Sequence, residues 1–235
     1  MNYIKFGESK KYIVFLHGWG SDKNSFIWLK NEFLEYTKVF VDFAGFGDTP
    51  EPSKPYMVLD YVLDLKQLLD NFEIDDLILV GHSFGGRVAI RFSFLYQNNY
   101  SNYKLCLVDS AGLKPRRGFK YYYNVYKYKI SKKIFPNSNS LKKYGSEDYK
   151  KLSANMKKTF INIVNEDLSC YASYITAKTL IIWGDNDRET RLYMAKKLRR
   201  LIRNSRLEII KNSGHFPFLD KPYSFIIILD TFLKN

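Results

Sequence analysis

Short, uninterrupted apolar runs, each followed by a stretch of helical periodicity, constrain this chain more than any other feature. Residues 12–16, 38–42, 77–80, 105–108, 179–183 and 207–210 read as strands. Residues 26–36, 61–72, 85–96 and 191–202 read as helices between them, and 225–233 reads as a last helix. A strand apolar at every position is covered on both faces, as parallel strands between helical layers are. The order therefore predicts an α/β fold: a doubly wound, mostly parallel sheet with right-handed crossovers. The alternation fails from about 112 to 175, where Lys, Tyr, Asn and Ser dominate. Met156, Phe160, Ile163 and Val164 keep a helical spacing there, so the segment reads as a mostly helical insertion between two core strands.

Composition excludes several classes. With 235 residues, 46% apolar and 26% charged, the chain suits one domain carrying an insertion, not a disordered or coiled-coil protein. Cys106 and Cys170 are the two cysteines. They sit in no CxxC or Cys/His array, so neither a disulfide scaffold nor a zinc site is expected. Reduced thiols and a cytoplasmic location follow as expectations. The stretch MNYIKFGESKK at the start carries no secretory apolar core. Residues 225–233 are interrupted by Asp230 and fall far short of the roughly 20 residues a membrane helix needs. The net charge is +13, of which +12 falls between Lys114 and Lys158.

Gly81-His82-Ser83-Phe84-Gly85-Gly86 joins a strand directly to a helix. That is the context of a G-x-S-x-G nucleophile elbow. A serine on so tight a turn requires small residues two positions away on each side. The backbone N–H of Phe84 then lies at a helix N-terminus, where a developing oxyanion is favoured.

A serine nucleophile needs a base, and the chain has three histidines. His82 adjoins Ser83 within the turn, so its side chain should point away. His17 ends the first strand-like run. His215, in the loop after the last strand, is by elimination the best general base. The imidazole in turn needs an orienting carboxylate. Asp187 is the stronger candidate, lying further beyond its strand than its local rival Asp185. Asp109, after residues 105–108, is a more distant rival that could reach the same ring. A second oxyanion donor is expected after the first core strand, and the Trp19 N–H is the choice.

Together these residues resemble the α/β-hydrolase superfamily, nearest its compact, capped, esterase-like branch. The resemblance rests on LHGWG (16–20), DFAGFGDT (42–49), GHSFGGR (81–87), LIIWGDND (180–187) and SGHFPFLDKP (213–222), in that order. It implies Ser83 as nucleophile, His215 as base, Asp187 as acid, and Trp19 and Phe84 as oxyanion hole, without metal or organic cofactor. It also implies an α/β-hydrolase fold with a core at 1–112 and 176–235, a basic, Tyr-rich helical cap at 113–175, and a shortened N-terminal strand region. Ala44, Lys178 and Arg191 stand where the family often has proline. A serine in place of an aspartate nucleophile argues against dehalogenase and epoxide hydrolase chemistry.

The expected activity is serine carboxylesterase on a small or medium acyl ester, through an acyl-enzyme. The alternatives are a carbon–carbon hydrolase or lyase of the menaquinone-pathway type, whose members share a GGR after the elbow, and a small-molecule sensor that keeps the triad. His17, Gly18 and His82 are candidate substrate contacts, and Arg116 and Arg117 candidate carboxylate binders. The basic cap could attract an acidic substrate or an acyl carrier. No nucleic-acid motif accompanies its charge.

Overall fold

The computed structural model describes residues 1–114 and 152–235. Their strands are β1 (Asn2–Phe6), β2 (Lys11–Leu16), β3 (Thr37–Asp42), β4 (Asp76–His82), β5 (Asn102–Val108), β6 (Lys178–Gly184) and β7 (Ser205–Ile210). They form one sheet in the order β1-β3-β2-β4-β5-β6-β7. All pairings are parallel except β1 with β3. The helices are α1 (Val58–Leu69), α2 (Phe84–Tyr96), α3 (Ala154–Asn165), α4 (Ser169–Ser173), α5 (Leu192–Leu201), α6 (Pro217–Asp220) and α7 (Pro222–Lys234). This is the α/β-hydrolase fold.

The apolar strands divide their residues between two cores. Val14, Leu16, Leu79, Leu107 and Trp183 point to the side covered by α1, α2 and α5. Ile13, Phe15, Val80, Val108 and Ile182 point to the other side, against Phe225, Leu229 and Phe232 of α7. Alternation of side chains along each strand thus fills two layers, so every position must be apolar.

Two local readings change. The strand β1 was not expected. It is a half-exposed edge strand, and NYIKF lacks the continuous apolar signal of its buried neighbours. The N-terminal region thus has one short antiparallel strand beside β3. The helix expected at 26–36 is instead two 3-10 turns, Lys23–Ser25 and Ile27–Asn31. The Asp22 side chain accepts from the Asn24 N–H and starts a tight turn. Glu32 is extended and Phe33 has φ 50°, which ends it. Only Phe26 and Leu29 of the expected apolar face are buried, while Leu34 is 82% exposed.

Most of the expected cap lies outside the described residues, Arg116, Arg117 and nearly all of its basic charge included. Its last part forms α3 and α4. The helix α3 starts at Ser153, whose hydroxyl accepts from the Met156 N–H. It is tied to the 52–56 loop: the Tyr56 N–H donates to Thr159 Oγ1, and Asn162 Nδ2 donates to the Tyr56 carbonyl. Among the described residues no helix is long and apolar enough to cross a membrane.

Candidate active site

Parallel order brings the carboxyl ends of β4, β5, β6 and β7 to one rim, and four side chains of three chemical kinds follow from it. Backbone pairing continues past the strand ends. The Ser83 N–H reaches the Val108 carbonyl, that of Asp109 reaches Ile182, and that of Asp185 reaches Ile210. The loops carrying Ser83, Asp109, Asp187 and His215 are therefore neighbours although they span 132 positions of sequence.

Ser83 occupies the turn between β4 and α2 with φ 50° and ψ −110°. A side chain in that region is strained. The surrounding glycines permit it. A Cβ on Gly81 would come 2.6 Å from the Gly85 carbonyl oxygen, and one on Gly85 would come 2.2 Å from the Leu16 carbonyl oxygen. No side chain fits at either place without moving backbone.

His215 Nε2 lies 3.0 Å from Ser83 Oγ. On its other edge, Nδ1 lies 2.9 Å from Asp187 Oδ2. With Nδ1–H donating to the carboxylate, Nε2 is free to accept the serine proton. Asp187 is buried, and its Oδ1 accepts the Glu189 and Thr190 N–H groups at 2.7 and 3.0 Å. Thr190 Oγ1 lies 2.5 Å from Oδ2. Although burial works against it, bonds from His215 and neighbours hold the Asp187 carboxyl well below the usual carboxylate range. It is an anion wherever the protein is folded near neutral pH. The rival Asp185 is exposed and accepts instead from the Ser213 N–H at 3.3 Å. The other rival, Asp109, is buried beside Asp187.

The remaining histidines both bond to backbone. His17 is buried, with Nδ1 donating to the Gly18 carbonyl at 2.7 Å and Nε2 accepting the Phe43 N–H at 3.1 Å. Both nitrogens are committed to backbone, and the ring is not on the cleft wall. It pins the loop after β2. Burial lowers its pKa to about 4. His82 does border the cleft, but its Nε2 donates to the His215 carbonyl at 2.7 Å. Burial, then the adjacent His215, lowers its pKa to about 3. As a neutral ring it anchors the His215 backbone. Gly18 is required beside it, because a Cβ there would lie 2.9 Å from His82 Nδ1.

Ser83 and His215 open into a cleft of about 610 Å³. Its walls include Trp19, Phe84, Phe160, Ile163, Val164 and Phe216. Trp19 packs edge-on to Phe84 and against Phe160 of α3, with centroids 5.5 and 5.2 Å apart. The backbone N–H of Phe84 is at the first position of α2, where no intrahelical acceptor exists. Trp19 and Phe84 thus share a wall beside the serine.

Sequence reasoning gave no role to Arg87, Glu189 or Thr190. Arg87 lies one helical turn beyond Ser83 and borders the same cleft. The i, i+4 spacing was the available signal. Its guanidinium is buried and donates to the Glu166 carbonyl at 2.9 Å. Among the described residues it makes no ion pair, and burial lowers its pKa to about 10. Glu189 Oε2 comes within 3.4 Å of His215 Nε2 from an exposed side chain. For metals, Asp109, Asp187 and His215 bring ligand atoms within 4.8 Å of one another. Both His215 nitrogens already face protein partners, Ser83 Oγ and Asp187 Oδ2, so the hydrogen-bonded relay runs Ser83–His215–Asp187 with Asp109 beside it. In chemical terms the arrangement can deprotonate a hydroxyl and stabilise the imidazolium that results.

Comparison with known proteins agrees with the geometry. The model of the alpha/beta hydrolase family matches residues 13–226. The AB hydrolase superfamily protein YisY of Bacillus subtilis is 28% identical, covering 89% of this chain and 86% of that protein. A pimeloyl-[acyl-carrier protein] methyl ester esterase of Wigglesworthia glossinidia brevipalpis is 27% identical, covering 97% and 96%. The solved esterase EaEST from Exiguobacterium antarcticum superposes with a TM-score of 0.77 at 25% identity, covering 99% of this chain and 95% of that one. The strained serine on its elbow, the relay behind it and the family match over most of the chain lead to one statement: the chain belongs to the alpha/beta hydrolase family and is a hydrolase.

Proposed function

We propose that this hydrolase is a serine carboxylesterase acting on small or medium acyl esters. The observation that supports it most is the continuous line from Ser83 Oγ through His215 to Asp187, at 3.0 and 2.9 Å. In this reading His215 Nε2 takes the Ser83 proton as Oγ attacks the ester carbonyl. The Trp19 and Phe84 N–H groups receive the oxyanion, each worth roughly 2.7–4 kcal/mol. His215 then gives its proton to the leaving alkoxide, which departs as the alcohol. Water, deprotonated by His215, attacks the acyl-serine. The acid leaves and Oγ regains its proton. Asp187 stays ionised throughout and stabilises the imidazolium.

The apolar wall of Trp19, Phe160, Ile163 and Val164 suits an acyl chain. Because α3 contributes three of those residues, we assign 113–175 as the cap segment. Its basic charge favours acidic substrates or an acyl carrier, and the two free thiols fit a cytoplasmic location. The test is a panel of nitrophenyl esters of increasing chain length on wild type and Ser83→Ala, with fluorophosphonate labelling read by mass spectrometry. Repeated turnover with an adduct on Ser83 is expected. A folded wild-type protein that neither turns over nor labels overturns the reading.

Arg87 favours a second reading. A buried guanidinium on the cleft wall that makes no ion pair among the described residues matches a substrate bearing a carboxylate, as in carbon–carbon hydrolysis or a lyase step. Cleavage of a vinylogous diketone acid faster than any neutral ester would make that the principal activity.

A further inference from the structure

The loop after β5 carries a buried acid for which the proposed reaction has no use. Asp109 is fully buried, with φ 39° in the left-handed region. Its N–H donates to the Ile182 carbonyl at 3.0 Å, and its own carbonyl accepts the Thr190 hydroxyl at 3.0 Å. Oδ1 accepts the Gly184 N–H at 3.1 Å. The residue is thus tied to β6 and to the loop that carries Asp187. Oδ2 is equally buried, and among the described residues no N–H or hydroxyl reaches it.

What lies beside it is another acceptor. An oxygen of Asp109, one of Asp187 and a ring nitrogen of His215 fall within 4.8 Å of one another. Two carboxylates in one dry pocket do not both stay ionised, because taking up a proton costs less than burying a second unpaired anion. Asp187 has the stronger claim on the charge. It receives two backbone N–H groups and the imidazole, whereas Asp109 receives one backbone N–H.

We propose that Asp109 is held as the neutral acid and donates a hydrogen bond from Oδ2–H to the Asp187 carboxylate, making it a positioning residue for the Asp187–His215 pair. The inference rests on the reading of Asp187 as the orienting carboxylate. Burial, and after it the Asp187 carboxylate, pushes the Asp109 carboxyl up to about 10. The titratable groups facing it are Asp187 from the loop after β6, His215 from the loop after β7 and, further off, Asp220 of α6. No lysine or arginine pairs with it among the described residues. A neutral donor here holds the carboxylate against the imidazole without adding a second negative charge.

Infrared difference spectra of wild type against Asp109→Asn at neutral pH test the protonation directly. The expected signal is the carbonyl stretch of a protonated carboxylic acid, shifted in heavy water and lost in the variant. Its absence overturns the proposal. Kinetics test the donor. Asp109→Asn keeps an N–H donor and is expected to retain kcat near the wild-type value. Asp109→Ala removes it and is expected to lower kcat about tenfold or more with KM unchanged. Equal losses in both variants, or none in Asp109→Ala, would refute the positioning role. Should the alanine variant not fold, the asparagine variant and the infrared band still decide. A wild type that shows the band but hydrolyses no ester would sink the esterase reading alone.

Discussion

The elbow at Ser83 and the relay of Asp109, Asp187 and His215 occupy the same rim but are held by different forces. At the elbow the constraint is steric and local. Gly81 and Gly85 let one strand-turn-helix unit close, and the β2 backbone presses against it. In the relay the constraint is electrostatic and distributed. Three loops from β5, β6 and β7 contribute one titratable group each, with ligand atoms within 4.8 Å of one another, and under the proposal above they share one negative charge and two exchangeable protons. A steric device tolerates changes of pH but not of volume. An electrostatic one tolerates isosteric change but not change of protonation.

The sharpest attack on the elbow is Ser83→Ala, expected to lower kcat by about 10⁶ with folding unchanged. Ester hydrolysis measures it, and a loss under about tenfold would remove the nucleophile from this turn. In the relay, Asp187→Asn is expected to cost about 10⁴ in kcat by imposing the wrong imidazole tautomer. Asp185→Asn, its exposed neighbour, should stay near wild type. Comparable losses in the two would mean that the carboxylates share the role. Gly85→Ala tests the steric side and is expected to destabilise the fold by about 1–3 kcal/mol, read as a lower denaturant midpoint at unchanged slope.

Protonation separates the two devices most finely. Asp109 is neutral in the fold and ionised in the unfolded chain above its ordinary range, so the folded state binds the extra proton. Stability should therefore fall as pH rises toward about 10, with a contribution of up to about 1.4 kcal/mol per pH unit. Asp109→Asn removes that slope. Asp187 works in the opposite sense. Its depressed pKa adds stability above the ordinary carboxylate range, and that is lost as pH falls through the folded value. Denaturant midpoints against pH for the two asparagine variants measure both, and parallel profiles would erase the distinction.

Much of this was legible in residue order. Continuous apolar runs specify strands covered on both faces, and every such run became a parallel strand. The elbow was legible because its requirements lie within six consecutive residues. The edge strand β1 was missed, since a half-exposed strand carries no continuous apolar signal. The helix expected at 26–36 failed because Glu32 and Phe33 took up non-helical backbone that periodicity does not register. The preference for Asp187 over Asp185 and Asp109 was not settled by residue order; in the fold Asp185 is exposed, and His215 Nδ1 faces Asp187 and not the equally buried Asp109. Arg87 and Thr190 could not be assigned by type alone.

The residues alone determined the parallel strands and the glycine-flanked turn at Ser83, and pointed to His215 as the histidine left to face it, because each rests on short-range periodicity, sterics or elimination. Tertiary structure alone decided which acid carries the charge. Burial and the count of N–H donors at Asp109, Asp185 and Asp187 depend on which loops the strand order sets side by side, and an aspartate's neighbours across a sheet rim are not written in its own flanking sequence.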